Sequence, residues 1–109
     1  MNSVQLLGRL TADPIEFKTQ QNSVVRFTLA VDRRKRKDGL IDADFIPILT
    51  FGTTAQFALK WLRKGSKIAL SGRIQTGKYQ NGNGQTVYTV DIIAENIEFA
   101  ESPNGGQQQ

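Results

Sequence analysis

The stretch Gly72-Arg73-Ile74-Gln75-Thr76-Gly77-Lys78-Tyr79 supports two kinds of chemistry. Its spacing nearly spells a phosphate loop, G-x-x-x-x-G-K-[S/T], in which backbone N–H groups between a strand and a helix cradle phosphates and the final hydroxyl reaches Mg²⁺. Position 79 is tyrosine, so that small hydroxyl is missing. Read at period two, the same residues form a strand with Gly72, Ile74 and Thr76 on one face and Arg73, Gln75, Gly77 and Tyr79 on the other. The second face carries a cation and an aromatic.

A second chemical feature is the run Arg33-Arg34-Lys35-Arg36-Lys37, followed by the turn-forming Asp38-Gly39. Five adjacent cations repel one another and cannot enter a core, so they form either a solvated loop or an arm that closes on an anion. Asp38, Asp42 and Asp44 stand ready to offset part of that charge. With Asp32 they could be imagined as a divalent-metal site, but carboxylates beside five cations read as charge compensation, and no metal or cofactor is expected.

Composition narrows the possibilities. The 109 residues include no cysteine and no histidine, which removes disulfides, thiolate or imidazole metal sites, and Ser-His-Asp or Cys-His catalysis. Residues 1–90 hold all 14 Lys/Arg and 6 Asp/Glu, a net +8, whereas residues 91–109 hold 4 Asp/Glu and no Lys/Arg, a net −4. A domain this basic points to a polyanion, with plain solubility as the bland alternative. Neither a membrane-length apolar run nor a signal pattern is present, which leads to the expectation of a soluble, cytosolic-type protein of one domain.

The elements that must position these groups read mainly as strands. Ser3 to Leu10 alternates, with Val4, Leu6, Gly8 and Leu10 on one face, and Gly8 predicts a bulge or bend. Ile15 to Lys18 reads as a short extension before a polar turn at Thr19-Gln20-Gln21-Asn22. Val24 to Asp32 alternates clearly, with Val25, Phe27, Leu29 and Val31 inward. Phe45 to Phe51 is apolar on both faces: Ile46 and Ile48 on one, Phe45, Pro47, Leu49 and Phe51 on the other. Such a strand is ordinarily buried on both sides, but in a barrel one face points out, and exposed aromatics on a basic domain suggest base stacking.

Thr53 to Leu62 reads as the one helix. Thr53 and Gln56 fit a capping box, Ala55, Ala58, Leu59 and Leu62 form the apolar stripe, and Phe57 and Trp61 read as packing residues. Arg63, Lys64 and Gly65 suit its C-terminus. Lys67 to Gln75 or beyond is the next strand, Asn81-Gly82-Asn83-Gly84 a hairpin turn, and Thr86 to Phe99 a last, bulged strand. Tyr88 stays open, as a neighbour of the binding face or part of an interface. The low-complexity segment 101–109 is expected to be disordered.

Five strands with one helix between the third and fourth describe an all-β OB-fold, a Greek-key barrel that takes oligonucleotides or oligosaccharides. Fold alone does not choose between those ligands. The residues add a resemblance. Gly8-Arg9-Leu10-Thr11-Ala12-Asp13-Pro14, Phe27-Thr28-Leu29-Ala30-Val31, Trp61-Leu62-Arg63-Lys64-Gly65-Ser66, and Gly72-Arg73-Ile74-Gln75-Thr76 with Tyr79 and Gly84-Gln85 resemble the bacterial single-stranded DNA-binding protein family over residues 1 to about 100.

That resemblance implies sequence-tolerant, cooperative binding of single-stranded DNA by a homotetramer of OB-folds, in replication, recombination and repair in the bacterial cytoplasm at the nucleoid. It implies base stacking on Phe45, Phe51 and Tyr79. A further family aromatic falls at Lys35, which turns that loop toward phosphates. Arg9, Arg33, Arg34, Lys35, Arg36, Lys37, Arg73 and Lys78 would then line a path for the backbone. An exposed edge of the first strand offers one route to assembly, by pairing with its copy across a two-fold axis. Family members also commonly end in an acidic tip that recruits replication and repair proteins. This sequence stops at Gln109 without one, so it is either a truncated piece of a longer chain or a member that does not recruit partners that way. Two other readings compete: an ATP-binding enzyme built on the near-phosphate loop, and a primosomal-type accessory OB-fold protein acting mainly through protein partners.

Overall fold

The computed structural model describes residues 1–18, 22–34 and 36–101. Its elements follow in the order β1 (Val4–Leu10), β2 (Ile15–Lys18), β3 (Ser23–Asp32), β4 (Ala43–Phe51), α1 (Gly52–Trp61), β5 (Lys67–Gln80) and β6 (Thr86–Phe99). Neighbouring strands run β1-β5-β6-β4-β3, and a second pairing of β1 with β3 closes the ring. The β4–β6 pairing, at Ile48–Ile92 and Leu49–Ile93, is parallel, and the others are antiparallel. This is the expected OB-type barrel with its helix between the long strands β4 and β5.

The strand count is six among the described residues, one more than expected. Thr11 to Pro14 turns the chain back, and Pro14 has no N–H with which to continue a ladder, so Ile15–Lys18 pairs with the start of β3 as a separate strand. The expected turn at residues 19–22 and the expected disordered segment at 101–109 lie outside the described residues, apart from Asn22 and from Glu101, which Arg9 holds.

Period-two alternation builds the core. Val25, Phe27 and Leu29 from β3, Ile48 from β4, Ile68 and Leu70 from β5, and Ile92, Ala94 and Ile97 from β6 pack with Leu10, with Ala55 and Ala58 of the helix and with Leu62 at its C-cap. Two of the inward residues on β6 keep this parity only because one residue is extra. Ala94 lies opposite Gly72 and Asn96 opposite Ser71, so Glu95 is the expected bulge and moves the inward set from Ile92 and Ala94 to Ile97 and Phe99. Gly8 serves a close approach rather than a bulge: a Cβ there would lie 2.3 Å from the Ala30 carbonyl oxygen, where β1 passes from β5 to β3.

The helix departs from expectation at its start, along one side and in the residue that ends it. No side chain caps its start; the N-cap is Phe51, in extended conformation, and the chain turns directly from strand to helix at Gly52, whose φ is +59°. Thr53 therefore lies already inside the first turn and cannot lead a capping box. Ala55, Ala58 and Leu62 are fully buried, but Leu59 is 38% exposed. Trp61, one position off the buried stripe, is half exposed, with Lys60 Nζ 5.3 Å from its ring centre, so it is not a core residue. Phe57 does pack, 5.9 Å from Phe99 between ring centres. The helix stops at Trp61, with Leu62 already extended, so Gly65 is not the residue that ends it, while Arg63 Nη1 donates to the Leu59 and Leu62 carbonyls, satisfying acceptors left over there.

Two of the distinctive sequence blocks prove to be each other's partners. Leu10 N donates to Ser66 O, Gly65 N to Leu10 O, and Lys64 N to Asp13 Oδ1 at 2.7 Å. These contacts fasten the helix end to the end of β1, so the spacing of both blocks is set by the fold.

Candidate nucleic-acid interface

Residues opposite one another on neighbouring strands point to the same side of a sheet, so the pairing register gives the outer surface row by row. One row runs Lys67, Arg9, Ala30, Phe45 across β5, β1, β3 and β4. Further along β3 and β4 come Thr28 beside Pro47, Arg26 beside Leu49, and Val24 beside Phe51. Beyond Leu49 the row continues to Ile93 and Arg73. Phe45 is 67% exposed, Phe51 41% and Tyr79 56%. The interior is complete without these three rings, which leaves them available to a ligand.

The β5–β6 hairpin extends past the barrel, and its two faces differ. Arg73, Gln75, Gly77 and Tyr79 share one face with Val87, Thr89, Asp91 and Ile93. Lys78 lies on the reverse face, opposite Tyr88. The candidate residues Tyr79 and Lys78 are thus not brought together. Tyr88, left open by the sequence, is strongly exposed and belongs with Lys78, Ile74 and Val90 on that reverse face. At the tip Asn81 closes the turn: its Oδ1 accepts from Asn83 N and Gln85 N, and Gly84 adopts φ +79°.

The basic loop is tied into a hairpin tip. Arg33 N donates to Asp42 O, Arg36 N to Leu40 O, and Gly39 N to Arg36 O with Gly39 at φ +86°. Its arginines are not all equally free. Arg33 donates through Nε and Nη2 to Asp44 Oδ1, at 2.8 and 2.6 Å, and Arg36 reaches Asp38 at 3.0 Å and Asp42 at 3.4 Å. Arg34 and Lys37 are exposed and make no ion pair among the described residues. Lys35 lies outside the described residues.

Arg9 and Arg73 are likewise engaged. Arg9 donates to both carboxylate oxygens of Glu101, at 2.7 and 3.1 Å, and to Gly65 O, so it ties the end of the described chain to the helix–β5 turn. Arg73 lies 3.6 Å from the bulge residue Glu95 and donates to Gln75 Oε1. The hydrogen bond and charge of Arg9 hold the Glu101 carboxyl below its ordinary range, and those of Arg33 do the same for Asp44; each arginine is raised in turn. These carboxylates stay ionised through neutral pH, where they are the intramolecular alternatives to a bound anion. One outward cation lies outside the expected set. Arg26 faces outward between Ile15 and Leu49, 3.4 Å from Asp91, and its place was already implied by the alternation of Val25 and Phe27 around it.

The sequence pattern of the Single-strand binding protein family matches residues 1–100. The chain belongs to this family. It is 44% identical over 108 residues to the single-stranded DNA-binding protein of Clostridium perfringens, covering 97% of this chain and 70% of that protein. Single-stranded DNA-binding protein 1 of Staphylococcus aureus is 43% identical over 112 residues, covering 100% of this chain and 71% of the relative. A third relative, single-stranded DNA-binding protein 3 of Streptococcus agalactiae, is 36% identical over 110 residues, covering 99% and 80%.

Membership in the Single-strand binding protein family settles the ambiguity of residues 72–79. This is a family of binding proteins, not of enzymes, and the strand β5 followed by a hairpin replaces the helix that a phosphate loop requires. Among the described residues no His/Cys/Asp/Glu cluster suits a metal ion, and no helix is long and apolar enough to cross a membrane.

Proposed function

We propose that this protein binds single-stranded DNA without regard to sequence, stacking bases on Phe45, Phe51 and Tyr79 and meeting phosphates with the basic loop and Arg73, while Lys78, on the reverse face of the hairpin, lies off this path. The observation that carries this reading is the set of three exposed aromatic rings on the outside of a closed barrel whose outer rows also carry arginines. Every base has a π-face, so stacking is sequence-tolerant, and a single strand presents those faces where a duplex does not. Residues 1–100 form the binding unit, and its setting is the protection of exposed strands during replication, recombination and repair in the bacterial cytoplasm.

Backbone contacts release counterions, so affinity falls with salt at a log–log slope of about −0.7 per neutralised phosphate. The pairing within the loop divides its cations. Arg34→Gln/Lys37→Gln is expected to flatten the slope by about 1.4, two phosphate equivalents, while Arg33→Gln/Arg36→Gln flattens it less because those arginines must first give up Asp44, Asp38 and Asp42. Anisotropy titrations of labelled oligo(dT) from 50 to 400 mM salt would measure both. Equal effects of the two double variants would show that the carboxylate pairs do not compete.

Assembly into a homotetramer is the second part of the proposal. Val4 to Gly8 pair with β5 on one side, and the pairing of β1 with β3 begins only at Arg9, so one edge of β1 is open to a copy of itself across a two-fold axis. Leu7 is half exposed there. Light scattering at micromolar concentration is expected to give a multiple of the 12.1 kDa chain mass, and a monomer would dispose of this part.

A further inference from the structure

The short strand β2 has no core-facing function. All four of its residues are exposed, and Phe17 and Ile15, 48% and 59% exposed, project from the same side. Register fixes which side that is. Phe17 lies opposite Val24 on β3, and Val24 lies opposite Phe51 on β4; Ile15 lies opposite Arg26, and Arg26 opposite Leu49. Phe17, Val24 and Phe51 therefore form one outward row, with Ile15, Arg26 and Leu49 forming the next.

We infer that Phe17 is a further base-stacking residue, and that the path of the single strand continues from Phe51 across Val24 to the β2 edge, with Arg26 exchanging Asp91 for a phosphate beside it. The inference rests on the proposed single-strand binding. Phe17 and Phe51 are two strand spacings apart, about 10 Å, with only the smaller Val24 between them. An outward aromatic with an outward cation nearby is also found in the row Arg9, Ala30, Phe45, although there the two share a row and here they stand in adjoining ones. A packing role would bury the ring, and nearly half of it is in solvent. Charge complementarity names the occupant: the cation in this lane sits opposite a polyanion's backbone, where an apolar protein partner would leave Arg26 with nothing to pair beyond Asp91.

Phe17→Ala is expected to weaken oligo(dT) binding by about 5- to 150-fold, the range for one stacked base in OB-fold single-strand binders, this family's own included, with an unchanged salt slope. Phe17→Trp should keep wild-type affinity. A second measurement needs no variant. Wild-type protein is irradiated with oligo(dT) carrying 5-iododeoxyuridine and digested with trypsin, and a cross-link is expected in the peptide Leu10–Lys18, whose one aromatic is Phe17. Cross-links confined to the peptides of Phe45, Phe51 and Tyr79, or a Phe17→Ala variant that binds like wild type, would overturn the inference and leave the proposed function standing. A change of oligomeric mass in Phe17→Ala with unchanged affinity per protomer would overturn it in favour of an interface between copies. Failure of the wild-type protein to bind oligo(dT) at all would instead remove the proposed function.

Discussion

Replacing Phe45 and Phe51 together by alanine is expected to weaken single-strand binding by about 2–6 kcal/mol, roughly 30-fold to more than 10⁴-fold, which is twice the range for one base on an OB-fold binder of this kind. Simple doubling applies because the two residues are six positions apart on β4, about 20 Å, too far to share a base or to couple through packing. Folding should survive. Both rings are substantially exposed, and although Phe51 is the N-cap of the helix, its side chain makes no capping hydrogen bond, so alanine preserves the backbone that does the capping. The salt slope should stay at the wild-type value, since no charge is lost. Anisotropy titration with a parallel thermal melt would measure this. A variant that melts like wild type and binds like wild type would remove stacking from the mechanism.

Gly72→Ala is expected to destabilise the fold by about 3 kcal/mol or more, the upper end for an inserted methyl group that meets immovable atoms. A Cβ at Gly72 would lie 1.9 Å from the Ile93 carbonyl oxygen and 2.9 Å from its carbon, both backbone atoms of the neighbouring strand. The only relief is to separate β5 from β6 at the bulge, where Glu95 meets Arg73. Gly82→Ala is the matched control. Nothing lies within 4 Å of a Cβ there and its φ is not positive, so its effect should fall within about 0.5 kcal/mol. Urea denaturation of the two variants separates these cases, and coincident midpoints would mean that β5 and β6 do not approach as closely as described.

Much of this arrangement was legible because a barrel converts period-two alternation directly into inside and outside. The inward placement of Val25, Phe27 and Leu29 followed from spacing alone, and so did the outward placement of Phe45 and Phe51 once a barrel was assumed. Spacing also placed Arg73 and Tyr79 on one face of the hairpin. What escaped depended on contacts distant in sequence. The four residues of β2 are too few for a period to show, and only pairing with β3 makes them a strand. Gly72 looked like part of a phosphate loop because glycine spacing does not tell a phosphate from a carbonyl as the thing approached; here it is Ile93 O. Trp61 read as a packing residue through its i,i+4 relation to Phe57, yet the ten-residue helix has one buried stripe, Ala55 and Ala58, continued by Leu62 at the C-cap. The division of the basic run into paired and free cations needed the folded positions of Asp38, Asp42 and Asp44.

The central claim is that exposed rings, and not charge alone, hold the ligand, and a competition assay tests it most directly. Protein saturated with labelled oligo(dT) is challenged at fixed salt by unlabelled single strand or by duplex DNA of equal phosphate count. Displacement by the single strand at concentrations where the duplex displaces little is the predicted result, because a duplex offers its charge but keeps its base faces stacked on one another. Equal displacement by the two would contradict it.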